Sequence, residues 1–192
     1  MLGTLPNGEV DHNYFMKEAL KEARKAFEAD EVPVGAVIVA QGRIIARSHN
    51  LTEMLSDPTA HAEMQAITSA TAHIGGKYLQ ECTLYVTLEP CMMCAGATYW
   101  AHLGQLVYGA SDSKRGYNTF EGTNAVDKVN GINQFHPKSN TLDPMSNTPD
   151  GRSNTLHPKS NILHPKTTVV SGIMAEEAAE LLRQFFQKKR SN

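Results

Sequence analysis

A chain of 192 residues and 21.0 kDa is long enough to bury one hydrophobic core and short for two, so a single domain spanning 1–192 is expected. Hydrophobic residues at 41% and charged residues at 20% are ordinary for a globular protein; no apolar run nears the roughly 18 residues of a bilayer span, and MLGTLPNGEVDHNYF has no signal-like segment, so a cytoplasmic protein without a membrane partner is expected. A formal charge of -2 and a pI near 6.4 exclude a surface that grips nucleic acid everywhere, but leave room for local basic rims at Lys114-Arg115 and Lys188-Lys189-Arg190.

From Tyr14 to Phe27 the residues Phe15, Met16, Ala19, Leu20, Ala23, Ala26 and Phe27 recur at helical spacing, which predicts an amphipathic helix. VPVGAVIVA and RIIARSHN follow as apolar, β-branched runs around Gln41-Gly42, the pattern of a hairpin. A second helix is expected from Thr59 to about Ile74, with Met64, Ile67, Thr71 and Ile74 on one face and Gly75-Gly76 as its stop. CTLYVTL reads as a buried strand. Pro90 suits the first turn of a third helix, about Cys91 to His102, where its missing N–H needs no partner; Gly104 lies just past the end. QLVYGA and TTVVSGI read as further strands. In the closing helix, about Ala175 to Lys188, Ala178, Leu181, Leu182 and Phe185 form an apolar stripe. This order joins a hairpin to helical crossovers and predicts an α/β fold, a mixed sheet covered on both faces by helices.

Before the last strand, Ile132 to Lys166 divides into five seven-residue units: INQFHPK, SNTLDPM, SNTPDGR, SNTLHPK and SNILHPK. Recurrent proline excludes a coiled coil, and about one modest apolar residue per unit is too little for a solenoid core. The tract at about 132–166 is therefore read as an expanded, low-complexity loop inserted in the domain, a mobile and dispensable surface excursion. His136, His157 and His164 occupy copies of one unit and have no cysteine partners, so duplication explains them better than metal binding.

Three cysteines, Cys82, Cys91 and Cys94, are an odd set for a disulfide framework and point to metal binding or catalysis. Cys82 stands in a strand-like run and reads as a packed thiol. Cys91 and Cys94, in EPCMMC, sit three apart near a helix start, where the dipole and free N–H groups favour thiolate. In PTAHAEM, His61 and Glu63 are two apart; along a helix side they would diverge, but in a first turn both can bend toward the open end. One imidazole and two thiolates make three zinc ligands and leave a fourth tetrahedral position for water, whose pKa such an ion lowers to about 7. Glu63 is then the nearby base that is not a ligand.

EVPVGAVIV, the Asn50 that ends RSHN, DPTAHAEM, TLYVTLEPCMMCAGA, VYGASDSKRG and the C-terminal VVSGIMAEEAAELLRQFF resemble the segments of bacterial tRNA-specific adenosine deaminases, in the same order. The resemblance covers about residues 12–116 and 164–190. After Gly116 many family members carry a Ser-Leu-Met-type segment, whereas this chain has Tyr117-Asn118-Thr119-Phe120. The resemblance implies a cytidine deaminase-like three-layer α-β-α sandwich with a mixed five-stranded sheet. It also implies zinc-dependent hydrolysis of adenosine to inosine at the wobble position of a tRNA anticodon loop, by a homodimer. By motif position His61, Cys91 and Cys94 are the zinc ligands and Glu63 the proton shuttle. Val34, Asn50 and the backbone of Ala62 fall at pocket positions that meet the flipped base, and Asp112 in the loop near the flanking nucleotide. The residues alone also admit plainer roles: core for Val34, turn for Asn50, helix filler for Ala62, cap for Asp112.

Two other readings remain. Tyr99-Trp100-Ala101 has some likeness to guanine deaminases, which suggests a deaminase of a free base or nucleoside. A non-catalytic, zinc-stabilised binding module would need the same ligands but no Glu63.

Overall fold

The computed structural model describes residues 3–5, 8–120 and 162–191. Helix α1, His12–Glu28, starts where the Asp11 carboxylate accepts the Tyr14 N–H, as an N-cap should. The hairpin β1, Gly35–Ala40, and β2, Arg43–His49, leads to α2, Ala62–Ile74, closed by Gly75 in the left-handed region at φ 71°. Strand β3, Cys82–Leu88, leads to α3, Met92–Trp100, and β4, Gln105–Ala110, to a short 3-10 turn at Tyr117–Thr119. Strand β5, Thr168–Ser171, and α4, Ala175–Ser191, end the chain.

The five strands lie in the order β2-β1-β3-β4-β5, with β1 antiparallel to both neighbours and β3, β4 and β5 mutually parallel. Alternate residues of β1 and β3 serve opposite cores. Ala36, Ile38, Leu84 and Val86 pack toward α2 and α3, while Val37, Val39 and Tyr85 pack toward α1. Ala178 of α4 completes the α1 side with Leu20 and Ala110. This is the expected three-layer α-β-α sandwich with a mixed five-stranded sheet.

The directions decide where chemistry can occur. Strand β2 runs opposite to β1 and so points the same way as β3 and β4. The chain segments leaving β2, β3 and β4 therefore emerge at one edge of the sheet, beside the segment that enters β1. His61, Cys91 and Asp112 follow those three strands, and Val34 precedes β1. A crevice at the carboxyl ends of strands is where open α/β sheets bind ligands.

Three expectations need correction. The face of helix α2 that carries Met64, Ile67, Thr71 and Ile74 is not its buried one: Ala62, Glu63, Ala66 and Ala70 are buried, Ile67 packs on the core while partly exposed, and Ile74 is exposed. Alanine lets the helix backbone approach β1 and β2 closely, which larger side chains would prevent. Helix α2 starts at Ala62 rather than Thr59, because Asp57 Oδ1 accepts both the N–H and the hydroxyl of Thr59 and holds that stretch as a turn. Helix α3 starts at Met92 with Cys91 as N-cap, so Pro90 stands outside the helix, where its carbonyl accepts the Tyr117 N–H.

Residues 132–161 of the heptad tract lie outside the described residues. The end of its last unit is anchored. Leu163 is 2% exposed within the α2-α3 core, Ile162 packs on the same core, and the His164 ring stacks 4.4 Å from that of His102. Leu163→Ala should lower stability by about 2–5 kcal/mol, the usual cost of truncating a buried leucine. Urea unfolding measures it, and a change within error would mean that Leu163 carries no packing.

Candidate active site

Two helices begin on side chains that could ligate a metal. His61 is the N-cap of α2 and Cys91 the N-cap of α3, and neither caps its helix with a side-chain hydrogen bond. Their ligating atoms are left free for each other. His61 Nδ1 lies 3.7 Å from Cys91 Sγ and 3.5 Å from Cys94 Sγ, and the three donor atoms fall within 4.8 Å of one another. Tetrahedral bonds of about 2.3 Å to sulfur and about 2.0 Å to nitrogen would set an S···N spacing of about 3.6 Å. The donor set and its spacing thus fit a zinc-type ion.

Electrostatics shape the cluster. The Cys94 thiol beside it, with help from His61, pulls Cys91 down to about 4 against the effect of burial. Cys94 is pushed up, first by its bond to Cys91 and then by burial and Glu63. The Cys91 thiolate in turn raises His61. Both helix N-termini add partial positive charge at this point, which favours thiolate.

Glu63 is wholly buried in the first turn of α2, and burial pushes its carboxyl up. Its Oε2 is a buried polar atom with no hydrogen-bond partner among the described residues. Leaving such an atom unpaired costs stability, and a site that does so has reserved it for something else.

The other residues singled out from sequence surround this cluster. Asn50 donates its backbone N–H to the Val34 carbonyl at 3.0 Å, which joins two of the three residues expected to line the pocket. Ser48 Oγ donates to the Ala62 carbonyl at 2.7 Å and ties the third to β2. Asp112 is also at this edge, but its Oδ1 accepts the N–H groups of Lys114 and Arg115 and caps their turn.

Sequence reading missed Glu89. Its buried carboxylate accepts the Asp112 N–H on Oε2 and the Asn118 N–H on Oε1, both at 3.0 Å, and so fastens the 112–118 loop to the start of α3. A Cβ at Gly116 would strike that carboxyl group, so glycine is required there. The signal was present in the position of Glu89 next to Pro90-Cys91, but an isolated glutamate reads as solvent-exposed. Tyr117, in the segment that departs from the Ser-Leu-Met pattern, is buried against Tyr108 and braces this loop from inside. Cys82 is buried apart from the cluster, as a packed thiol should be.

A sheet edge that gathers a His-Cys-Cys cluster and a buried glutamate has the parts of a zinc deaminase centre. Comparison with known proteins agrees and narrows the class. The model of the MafB19-like deaminase family matches residues 10–141. The tRNA-specific adenosine deaminase of Agrobacterium fabrum is 41% identical over 181 residues, which cover 94% of this chain and 97% of that protein. A solved structure of a tRNA:A34 deaminase, which edits A to I at the wobble position of transfer RNA, is similar at TM-score 0.65 and 38% identity, covering 88% of this chain and 99% of that one. Guanine deaminase from Bacillus subtilis is similar at TM-score 0.54 and 34% identity, over 66% of this chain and 87% of its own. The chain belongs to the MafB19-like deaminases and, among them, to the tRNA-specific adenosine deaminase family.

If the cluster is a metal site, Cys94→Ser and His61→Ala should each abolish stoichiometric zinc. Glu63→Gln should retain about one equivalent, because a residue that moves protons without ligating leaves the donor set intact. Elemental analysis of the purified variants decides this, and zinc loss in Glu63→Gln would make Glu63 a ligand.

Proposed function

We propose that this protein hydrolyses adenosine to inosine at the wobble position of a tRNA anticodon, with zinc held by His61, Cys91 and Cys94. The observation that carries the reading is the buried Glu63 carboxyl, whose Oε2 has no hydrogen-bond partner among the described residues, beside three metal-type donors. A binding module that used zinc only for stability would have no use for it. When bound, the ion supplies Lewis acidity that makes water a nucleophile at neutral pH.

The chain's own residues do the rest. Glu63 accepts a proton from the attacking water and delivers it to the purine ring nitrogen, then takes the remaining proton from the hydroxyl now on C6 and passes it to the amine, so that the C6–N bond breaks, ammonia leaves and C6 becomes a carbonyl. Its raised carboxyl suits this exchange, since a group that must both take and return a proton works best near the operating pH. Val34, Asn50 and the Ala62 N–H at the start of α2 line the place of the extruded base. An unpaired anticodon loop gives up a base at lower cost than a duplex.

Lys114 and Arg115 are exposed beside the cluster and offer a small cationic rim for phosphates, in keeping with the low net charge. Lys188 and Lys189 are less available, because both pair with Asp30. Ile74, Met92 and Trp100 are exposed apolar side chains on α2 and α3, which supports assembly as a homodimer. Among the described residues no helix is long and apolar enough to cross a membrane; a tRNA substrate supports a cytoplasmic location.

The position of Trp100, in the Tyr99-Trp100-Ala101 stretch on which the guanine reading rests, favours the tRNA reading. Trp100 is 77% exposed and lies six residues beyond Cys94, about 9 Å further along the helix axis and away from the ligand end. Incubation with total tRNA should yield inosine, and incubation with guanine should yield no xanthine; the reverse pattern would replace the proposal. Glu63→Ala should lower inosine formation by at least about 10²–10⁴-fold, and near-normal turnover would remove Glu63 from the mechanism.

A further inference from the structure

Glu31, in the loop between α1 and β1, is 0% exposed, although it is a carboxylate in a turn sequence. Both of its oxygens are occupied from across the crevice edge. Oε1 accepts the backbone N–H groups of Glu53 and Met54 at 2.9 and 2.8 Å. Oε2 accepts the Thr52 hydroxyl at 3.1 Å and the Asn50 side-chain amide at 3.3 Å. These donors outweigh the burial that would raise the carboxyl and keep it below the ordinary range.

Asn50 is caught in a closed triangle. Its Nδ2 donates to Glu31 Oε2 and, at 3.0 Å, to Thr52 Oγ1, while the Thr52 hydroxyl donates to the same Glu31 oxygen. An Asn amide has two hydrogens, and both are used. Rotating the amide would bring its carbonyl oxygen against a carboxylate oxygen, two acceptors with no proton between them. The charge on Glu31 therefore fixes the orientation. Among the described residues no donor reaches Asn50 Oδ1, which is left as the free end of the side chain.

We infer that Glu31 is a positioning residue: it locks the amide of Asn50 so that the crevice presents a hydrogen-bond acceptor to the incoming nucleoside. The inference rests on the reading of Asn50 as a residue of the base pocket. The ligand group it takes is an N–H or O–H donor of that nucleoside. Glu31 touches no reacting atom; its effect passes through Asn50.

Glu31→Gln tests this, because the new amide can keep one oxygen for the Glu53 and Met54 N–H groups while turning its NH₂ toward Asn50. That favours the flipped Asn50, with a donor where the acceptor stood. The substrate is an anticodon stem-loop RNA with adenosine at the wobble position, the protein the full zinc-loaded chain, and the reading kcat and KM for inosine formation. Glu31→Gln and Asn50→Ala should each lower kcat/KM by about 10-fold or more, the size of a lost or inverted hydrogen bond to substrate. With both changes together, the Glu31 substitution should add less than about 3-fold, and zinc content should stay at one equivalent. Thr52→Val removes one side of the triangle with little change of shape, and should give a smaller loss that Asn50→Ala likewise absorbs; it serves if Glu31→Gln fails to fold.

Losses that multiply in the double variant overturn the inference while leaving the function intact, since Glu31 would then act only by holding the 52–54 backbone. Full activity of Asn50→Ala overturns it through the pocket assignment. A wild-type protein that forms no inosine from this RNA overturns the functional reading and the inference with it.

Discussion

The direction of β2 is the constraint from which the site follows. Because β1 is antiparallel to both β2 and β3, the strands on either side of it point the same way, and the helices after them start at one edge. Each start carries a metal-type donor as its N-cap, so two partial positive charges and three donor atoms converge. Were β2 reversed, His61 would leave the sheet at the opposite edge from Cys91. The parallel pairing of β3 with β4 then brings the Asp112 loop to the same place, where Cys91 and Gly116 bridge.

Among the buried glutamates around this edge, Glu31, Glu63 and Glu89 show how environment assigns roles to one side chain. Glu31 and Glu89 are saturated by donors, mostly backbone N–H groups of loops that would otherwise be loosely held. Burying a carboxylate is costly, and in these two the hydrogen bonds offset the cost and turn it into rigidity. Glu63 has no such compensation at Oε2. It carries the penalty of an unmatched group beside the three metal-type donors. The loops on either side are thus pinned by charge and the centre is left reactive.

Packing on the α2 side reverses the usual ranking of hydrophobic residues. The small Ala62, Ala66 and Ala70 are fully buried, whereas the larger Met64 and Ile67 are only partly buried and Ile74 is exposed. The close approach brings the first turn of α2, and with it Glu63, into the core rather than over its rim. A similar surprise occurs at the end of the heptad tract, where Leu163 fills the same core from a unit whose composition reads as loop. A single leucine per repeat cannot support a repeat core, but one copy next to a strand can fill a pocket made by other elements.

The sequence by itself determined the elements, their order and the identity of the chemistry-bearing residues. Hydrophobic period, the Gly75 stop and the spacing of His61, Glu63, Cys91 and Cys94 are local properties, legible within a window of a few turns. It did not determine the first residues of α2 and α3, which depend on Asp57 and on the Tyr117 contact to Pro90, nor which face of α2 is buried. Least legible were Glu31 and Glu89. A carboxylate's burial depends on donors far along the chain, 19 to 23 residues away for Glu31 and 23 to 29 for Glu89. Only the folded sheet brings those donors within reach, so only the tertiary structure could separate a structural anchor from an ordinary surface charge.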